Sequence, residues 1–194
     1  METGVHDLEL LIRSRVPIIL IETADEPRAL ELFTRLAMAV GEPVMRWSVT
    51  SGLQRLDLEL QPQTHAKDPQ QALGHIKATG TPGIYVLLDF HPYLEDPGHI
   101  RMIKEIALGY GEAQHTLVFI SHTCELPEEL RAFSARFDLA LPDHEALEAW
   151  IREEAKKWSQ AHPGRRVKTD SVTLARLVHQ LRGLTETDAR RLVR

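Results

Sequence analysis

"IILIETADEPRALEL", residues 18 to 32, is the stretch on which the reading of this chain turns. Ile18 to Glu22 is an apolar run ending in an acid, the pattern of a buried strand. Ala29, Leu30, Leu32 and Phe33 then open a helical pattern. A strand, a short turn and a helix near the start of a chain announce an α/β domain. In nucleotide-binding α/β proteins that turn cradles phosphate. Here it carries Glu22, Asp25 and Glu26 and has neither glycine nor lysine, so the G-x-x-x-x-G-K-[ST] pattern is missing. Three acids repel phosphate at short range. They suit the positive end of a helix, where each contributes about 0.3–1 kcal/mol. Thr23 with Glu26 fits a capping box; alternatively, Glu26 precedes Pro27 at N1. The turn therefore reads as one that caps its own helix.

Outward from there, strands alternate with helices. "PVMRWSV" (43–49), "GIYVLLD" (83–89) and "HTLVFIS" (115–121) read as further strands, and "RFDLALPD" (136–143) as holding a last short one. The polar stretch 50–66 reads as a long loop with a short hairpin. Helices are expected before Pro17, over 25–40, from Asp68 (N-cap) and Pro69 to a stop at Gly80, over 98–110, and from Asp143 (cap) through Trp158. "SQAHPGRRVKTD" reads as a linker, followed by helical patterns over 171–181 and 185–193. Apolar runs such as IYVLL fit strands covered on both faces of a parallel sheet. The fold expected is α/β, a three-layer P-loop-like parallel five-stranded sheet over 1–142. A small helical lid-like subdomain follows over 143–194.

The 194 residues carry a net charge of -5, which supplies no global basic field for nucleic acid. No apolar run reaches the ~18 residues of a membrane span. Acids at Glu2, Asp7 and Glu9 speak against a signal peptide. Cys124 is the sole cysteine, which excludes an intrachain disulfide and fits a cytoplasmic setting. The final "DARRLVR" stops within a helical pattern, as in a chain cut from a longer one.

Open parallel sheets bind ligands beyond the carboxyl ends of their strands. The residues there are Glu22 and Thr23, then Asp89, Phe90 and His91, then Ser121, His122 and Thr123. A hydrophobic run ending in Asp89 looks like a Walker B strand, in which Asp helps hold Mg²⁺ and a second acid polarises water. Here the second acid is missing, since Asp89 is followed by Phe90 and His91. Ser121 stands where the next strand would sense a γ-phosphate. His91, His99, His122 and Cys124 have no C-x-x-C or H-E-x-x-H spacing and read as loop and strand-end residues, with no metal assigned. Lys156, Lys157, Arg165, Arg166 and Lys168 read as a solvated basic linker, and Trp150 and Trp158 as packing residues on one helix face.

Several phrases resemble the AAA ATPases. "RFDLALPDHEALEAWI" looks like the end of an AAA core, and "ISHTCELPEELRAFSARFD" is similar to the region of second homology. That similarity puts Ser121 near the sensor-one place and Arg131 and Arg136 near arginine-finger places. "GLTETDARRLV" resembles a lid helix, with Arg190 or Arg191 near a sensor-two place. "LELLIRSR", followed by Pro-Ile-Ile and Ile-Glu-Thr, and "LPEELRAF" look like the hypothetical chloroplast reading frame (Ycf) type of AAA ATPase, over nearly the whole chain. Those proteins begin with a degenerate AAA-like domain, and a module with a proper P-loop follows.

The resemblance implies a non-catalytic N-terminal domain for regulation, oligomerisation or partner docking. Glu22, Thr23, Asp89 and Ser121 would be vestigial nucleotide-site positions, with no catalytic residue. ATP and Mg²⁺ would be held by the downstream AAA module. That module, further copies of the chain and a protein of unknown identity are the expected partners, not a membrane or nucleic acid. Two alternatives stand beside this reading. One is a nucleotide-binding ATPase domain in its own right, which would need another lysine in place of the P-loop lysine, whereas Lys67 and Lys77 lie elsewhere in the chain. The other is a phospho-acceptor receiver-like domain using Asp89.

Overall fold

The computed structural model describes residues 2–56, 66–140, 144–162 and 170–193. The chain divides into two compact units, Met1–Leu139 and Ala140–Arg194.

The first unit runs α1 (Glu2–Arg13), β1 (Ile18–Glu22), α2 (Glu26–Val40), β2 (Val44–Ser48), β3 (Gly52–Arg55) and α3 (Pro69–Ala78). It continues through β4 (Gly83–Leu88), a 3₁₀ turn at His91–Glu95, α4 (Pro97–Leu108), α5 (Tyr110–Ala113), β5 (His115–Ser121), α6 (Glu128–Arg131) and β6 (Ser134–Arg136). The sheet has six strands in the order β3-β2-β4-β5-β1-β6. β3 pairs antiparallel with β2, and every other pairing is parallel.

Alternation along the central strands builds the three layers. Ile18, Leu20, Tyr85, Leu87, Leu117 and Phe119 join one buried core with Leu73 and Ile76 of α3 and Ile103 and Ile106 of α4. Ile19, Ile21, Ile84, Val86, Val118 and Ile120 join another with Leu8 and Ile12 of α1 and Phe33 and Leu36 of α2. β4 and β5 are buried at every position, which is why their sequences are continuous apolar runs.

Four expectations are corrected. The sheet is mixed and six-stranded, because the polar stretch after β2 doubles back as β3 through Ser48 to Gly52. The last strand is Ser134–Arg136, upstream of most of "RFDLALPD"; it is a short edge strand without a buried residue, so no apolar run marks it. α3 ends with Thr79 as its cap, one residue before Gly80, because the Thr79 N–H bonds back to the His75 and Ile76 carbonyls. The Thr23–Glu26 capping box does not form. With Pro27 in the first turn the helix starts at Glu26, so Asp25 takes the cap position and Thr23 Oγ1 accepts the Asp25 N–H at 2.9 Å. Other signals hold. Asp68 accepts the Gln71 N–H at 2.9 Å, and Gly41 closes α2 in the left-handed region at φ 71°.

The strand order also counts against the receiver-like alternative. In that fold the first strand lies between the second and third, whereas here β1 lies between β5 and β6.

The second unit holds α7 (His144–Ala161), α8 (Ser171–Leu181) and α9 (Glu186–Val193). Its core is Leu147, Trp150, Ile151, Val178, Leu181 and Ala189. Asp170 caps α8 by accepting the Thr173 N–H at 2.6 Å, and Thr185 Oγ1 accepts the Asp188 N–H at 3.2 Å at the start of α9. Trp150 packs as expected, but Trp158 is half-buried outside that core and stacks on His162 at 4.4 Å. Lys156 and Lys157 belong to α7, not to a linker. The expected cap Asp143, and Arg165, Arg166 and Lys168, lie outside the described residues.

Candidate functional site

The parallel register sets which strand ends meet. Glu22 of β1 lies level with Ser121 of β5, and Leu88 of β4 pairs with Ile120. The chain leaves β1 and β4 still tied to β5, through Thr23 N–H to Ser121 O at 2.9 Å and Asp89 N–H to Ile120 O at 3.0 Å. Glu22, Thr23, Asp89 and Ser121, which the sequence resemblance would make vestigial nucleotide-site positions, thus stand around the carboxyl end of β5.

Asp89 turns the chain out of β4 at φ 48°, a left-handed conformation that Asp tolerates better than most residues. Phe90 follows it, 1% exposed, with its ring 5.2 Å from Trp47, 5.4 Å from Tyr93 and 5.7 Å from Phe119. That anchor holds Asp89 and His91 on either side. The buried Ser121 hydroxyl donates to Asp89 Oδ1 at 3.2 Å and lies 2.7 Å from His91 Nδ1. With its single hydrogen directed to Asp89, it accepts from His91 Nδ1–H, which leaves the lone pair of that imidazole on Nε2. The His91 and His122 rings meet edge to face at 4.9 Å. His99 is elsewhere, on the Tyr93 carbonyl at 2.9 Å. Cys124 is buried against the Ile21 and Phe119 carbonyls, and burial, with Glu22 nearby, pushes its thiol pKa up.

The residues of the β1–α2 turn do not fit a bound triphosphate, since the turn carries Glu22, Asp25 and Glu26 and has no glycine or lysine. Asp25 is 2% exposed at the head of α2. The Glu26 carboxyl pKa is raised, first by burial and then by the charge of Asp89, with Arg46 opposing. Lys77, away from the turn, is bound to Glu105 at 2.6 Å, joining α3 to α4. Lys67 is an exposed residue just before the Asp68 cap. Sequence reasoning missed Arg46 and the meeting of His91 with His122. An arginine within the "PVMRWSV" strand was the available signal for the first.

The raised Glu26 pKa has a defined sign. A carboxyl with a folded pKa above its unfolded one binds protons preferentially in the folded state, so stability falls as pH rises through that interval. The penalty is absent below the unfolded value of 4.5 and complete above the folded one. Glu26→Gln should therefore gain stability relative to the parent chain as pH rises from about 4 to about 7. Urea midpoints at the two pH values check it; a constant difference would contradict it.

The remaining predicted residues are arginines. Arg136 Nη1 lies 3.2 Å from Glu22 Oε2, and its Nη2 donates to the Cys124 carbonyl at 3.1 Å, tying the β6 edge to the strand-end cluster. Arg131 is 63% exposed and paired with Glu128 at 2.6 Å. In the second unit Arg190 bonds Glu153 and the buried Glu154 at 3.1 and 3.2 Å and lies 5.4 Å over the Trp150 ring. Arg191 pairs with Asp188 at 3.2 Å and is 77% exposed.

A mixed α/β sheet with an acid directly after β4, together with a separate helical unit, is the fold also found in solved AAA structures. Solved structures agree on the fold. RuvB of Thermotoga maritima, in a variant form, matches with a TM-score of 0.62 at 13% identity, over 100% of this chain and 60% of that one. The FIGL-1 AAA domain in complex with ADP matches at 0.59 and 16% identity, over 91% and 58%. The family itself is set by sequence. Residues 5–139 match the N-terminal domain of SpoVK-like AAA ATPases and residues 145–194 match their second domain, and the chain belongs to that family. The AAA domain-containing protein ycf46 of Trieres chinensis is 25% identical over 142 residues, 70% of this chain and 28% of that protein. Its counterpart in Gracilaria tenuistipitata var. liui is 22% identical over 145 residues, 73% and 29%. The chain thus spans less than a third of these curated relatives. The family is one of nucleotide-binding ATPases. Among the described residues no helix is long and apolar enough to cross a membrane.

Proposed function

We propose that this domain is a non-catalytic N-terminal AAA-like module of a cytoplasmic ATPase. It serves regulation, self-association or docking of a protein partner, while a downstream AAA module of the same protein binds Mg-ATP and hydrolyses it. The observation that carries this is the β1–α2 turn: Glu22 and Glu26 flank a buried Asp25 where a P-loop offers converging N–H groups and a lysine. The raised Glu26 pKa shows that negative charge is already costly there. Arg131 and Arg136 are the candidates to face a neighbouring subunit's nucleotide; each is more than half exposed and makes one ion pair and one bond to a carbonyl. Arg191 is the better sensor-two candidate, since Arg190 is held by Glu153 and Glu154.

The test is labelled Mg-ATP binding to the 194-residue chain. No saturable binding in the micromolar range is expected. Micromolar binding would overturn the reading and favour an ATPase domain in its own right.

A further inference from the structure

We propose that Asp89, His91 and His122 form a binding site for one divalent transition-metal cation of the zinc type. One ligand atom from each of the three lies within 4.8 Å of the others. A tetrahedral ion with bonds of 2.0–2.1 Å wants its ligand atoms about 3.3 Å apart. Asp89 and His122 are exposed and His91 is half-buried, so small side-chain rotations close the difference without moving the sheet. The proposal goes beyond the functional reading above and does not rest on it.

The backbone under the site is anchored by packing and strand pairing. Asp89 and His91 flank the buried Phe90, and His122 directly follows β5. Ser121 supplies the outer support that a metal site needs. It is 4% exposed and holds both Asp89 Oδ1 and His91 Nδ1. That fixes the carboxylate and leaves His91 Nε2 as the nitrogen with a lone pair to give. Two imidazoles with one carboxylate select zinc, cobalt or nickel over magnesium, which prefers oxygen ligands. Three protein ligands leave a fourth position for water or for a donor from a partner. A site of this composition differs from a Walker B site, in which acidic oxygens hold Mg²⁺ against a nucleotide.

The probe is Co²⁺, titrated into the 194-residue chain, with Zn²⁺ competition followed by calorimetry. One equivalent should bind with visible d–d absorption and be displaced by Zn²⁺ but not by millimolar Mg²⁺. His122→Ala and Asp89→Asn should each abolish that absorption while circular dichroism stays unchanged, because both side chains are exposed. Ser121→Ala should weaken binding by roughly 10–100-fold. His99→Ala, at a histidine engaged with the Tyr93 carbonyl and not among the three proposed ligands, should leave binding as it was. Absence of Co²⁺ and Zn²⁺ binding would overturn the proposal. So would binding that survives a His91→Ala/His122→Ala double substitution, or displacement of Co²⁺ by Mg²⁺. The ATP experiment is independent of each of these outcomes.

Discussion

Trp47→Ala should cost the first unit about 3–5 kcal/mol. Trp47 is fully buried in β2, and its ring meets those of Phe90 and Tyr93 edge to face at 5.2 and 5.9 Å. Its indole N–H donates to the Ala66 carbonyl at 2.8 Å, which pins the chain just ahead of α3. Truncation removes the ring, leaves a cavity and strips that carbonyl of its donor. Trp47→Phe separates these effects. It keeps an aromatic ring but loses the N–H, so a smaller loss of about 1–2 kcal/mol is expected. Urea unfolding followed by hydrogen exchange of β4 and β5 amides reads this unit alone. A loss below about 1 kcal/mol for the alanine variant would show that the core closes around the gap. The effect should extend to the candidate site, because Phe90 is the packing anchor between Asp89 and His91. Co²⁺ affinity should fall in Trp47→Ala although Trp47 is not one of the three proposed ligands.

Arg190→Ala should destabilise the second unit by about 2–3 kcal/mol. Glu154 is 6% exposed in its side chain, and Arg190 and Lys157 lie 3.2 and 3.3 Å from its carboxylate. Removing one partner of a buried pair costs about 3–5 kcal/mol when the remaining charge is left alone. Lys157 remains here, which reduces the figure, and loss of the stacking over Trp150 adds to it. Arg190→Lys keeps a charge but not the planar guanidinium that lies over the Trp150 ring, so an intermediate loss is expected. Hydrogen exchange of α7 and α9 checks the prediction. Unchanged protection would mean that Arg190 is spare in this unit, and would return it to the sensor-two candidates beside Arg191.

Legibility in the sequence followed burial. The expected bounds of β1 and β5 match the structure, and those of β4 miss by one residue at Asp89, because apolar runs covered on both faces leave little ambiguity. Local hydrogen bonding made the Asp68 cap and the Gly41 stop equally readable. β3 and β6 were harder. Both are short and sit at sheet edges, with two buried residues in β3 and none in β6, so no hydrophobic period marks them. The capping box at Thr23 failed for a related reason. Its residue types fit, but the choice between two adjacent start points depended on where Pro27 could sit.

The acidic turn, the Asp-ended strand and the helical C-terminal segment were set by the sequence alone, because each depends on neighbours within a few residues. The family resemblance rested on the same local phrases. The grouping of Asp89, His91 and His122 was not readable that way. His91 and His122 belong to different strand ends, and no linear spacing signals a pair brought together by a crossover. The order β4-β5-β1 and its register put them side by side, and Ser121, supplied by β5, joins Asp89 to His91. Short-range chemistry is written along the chain, whereas proximity across a sheet exists only once the strands have paired.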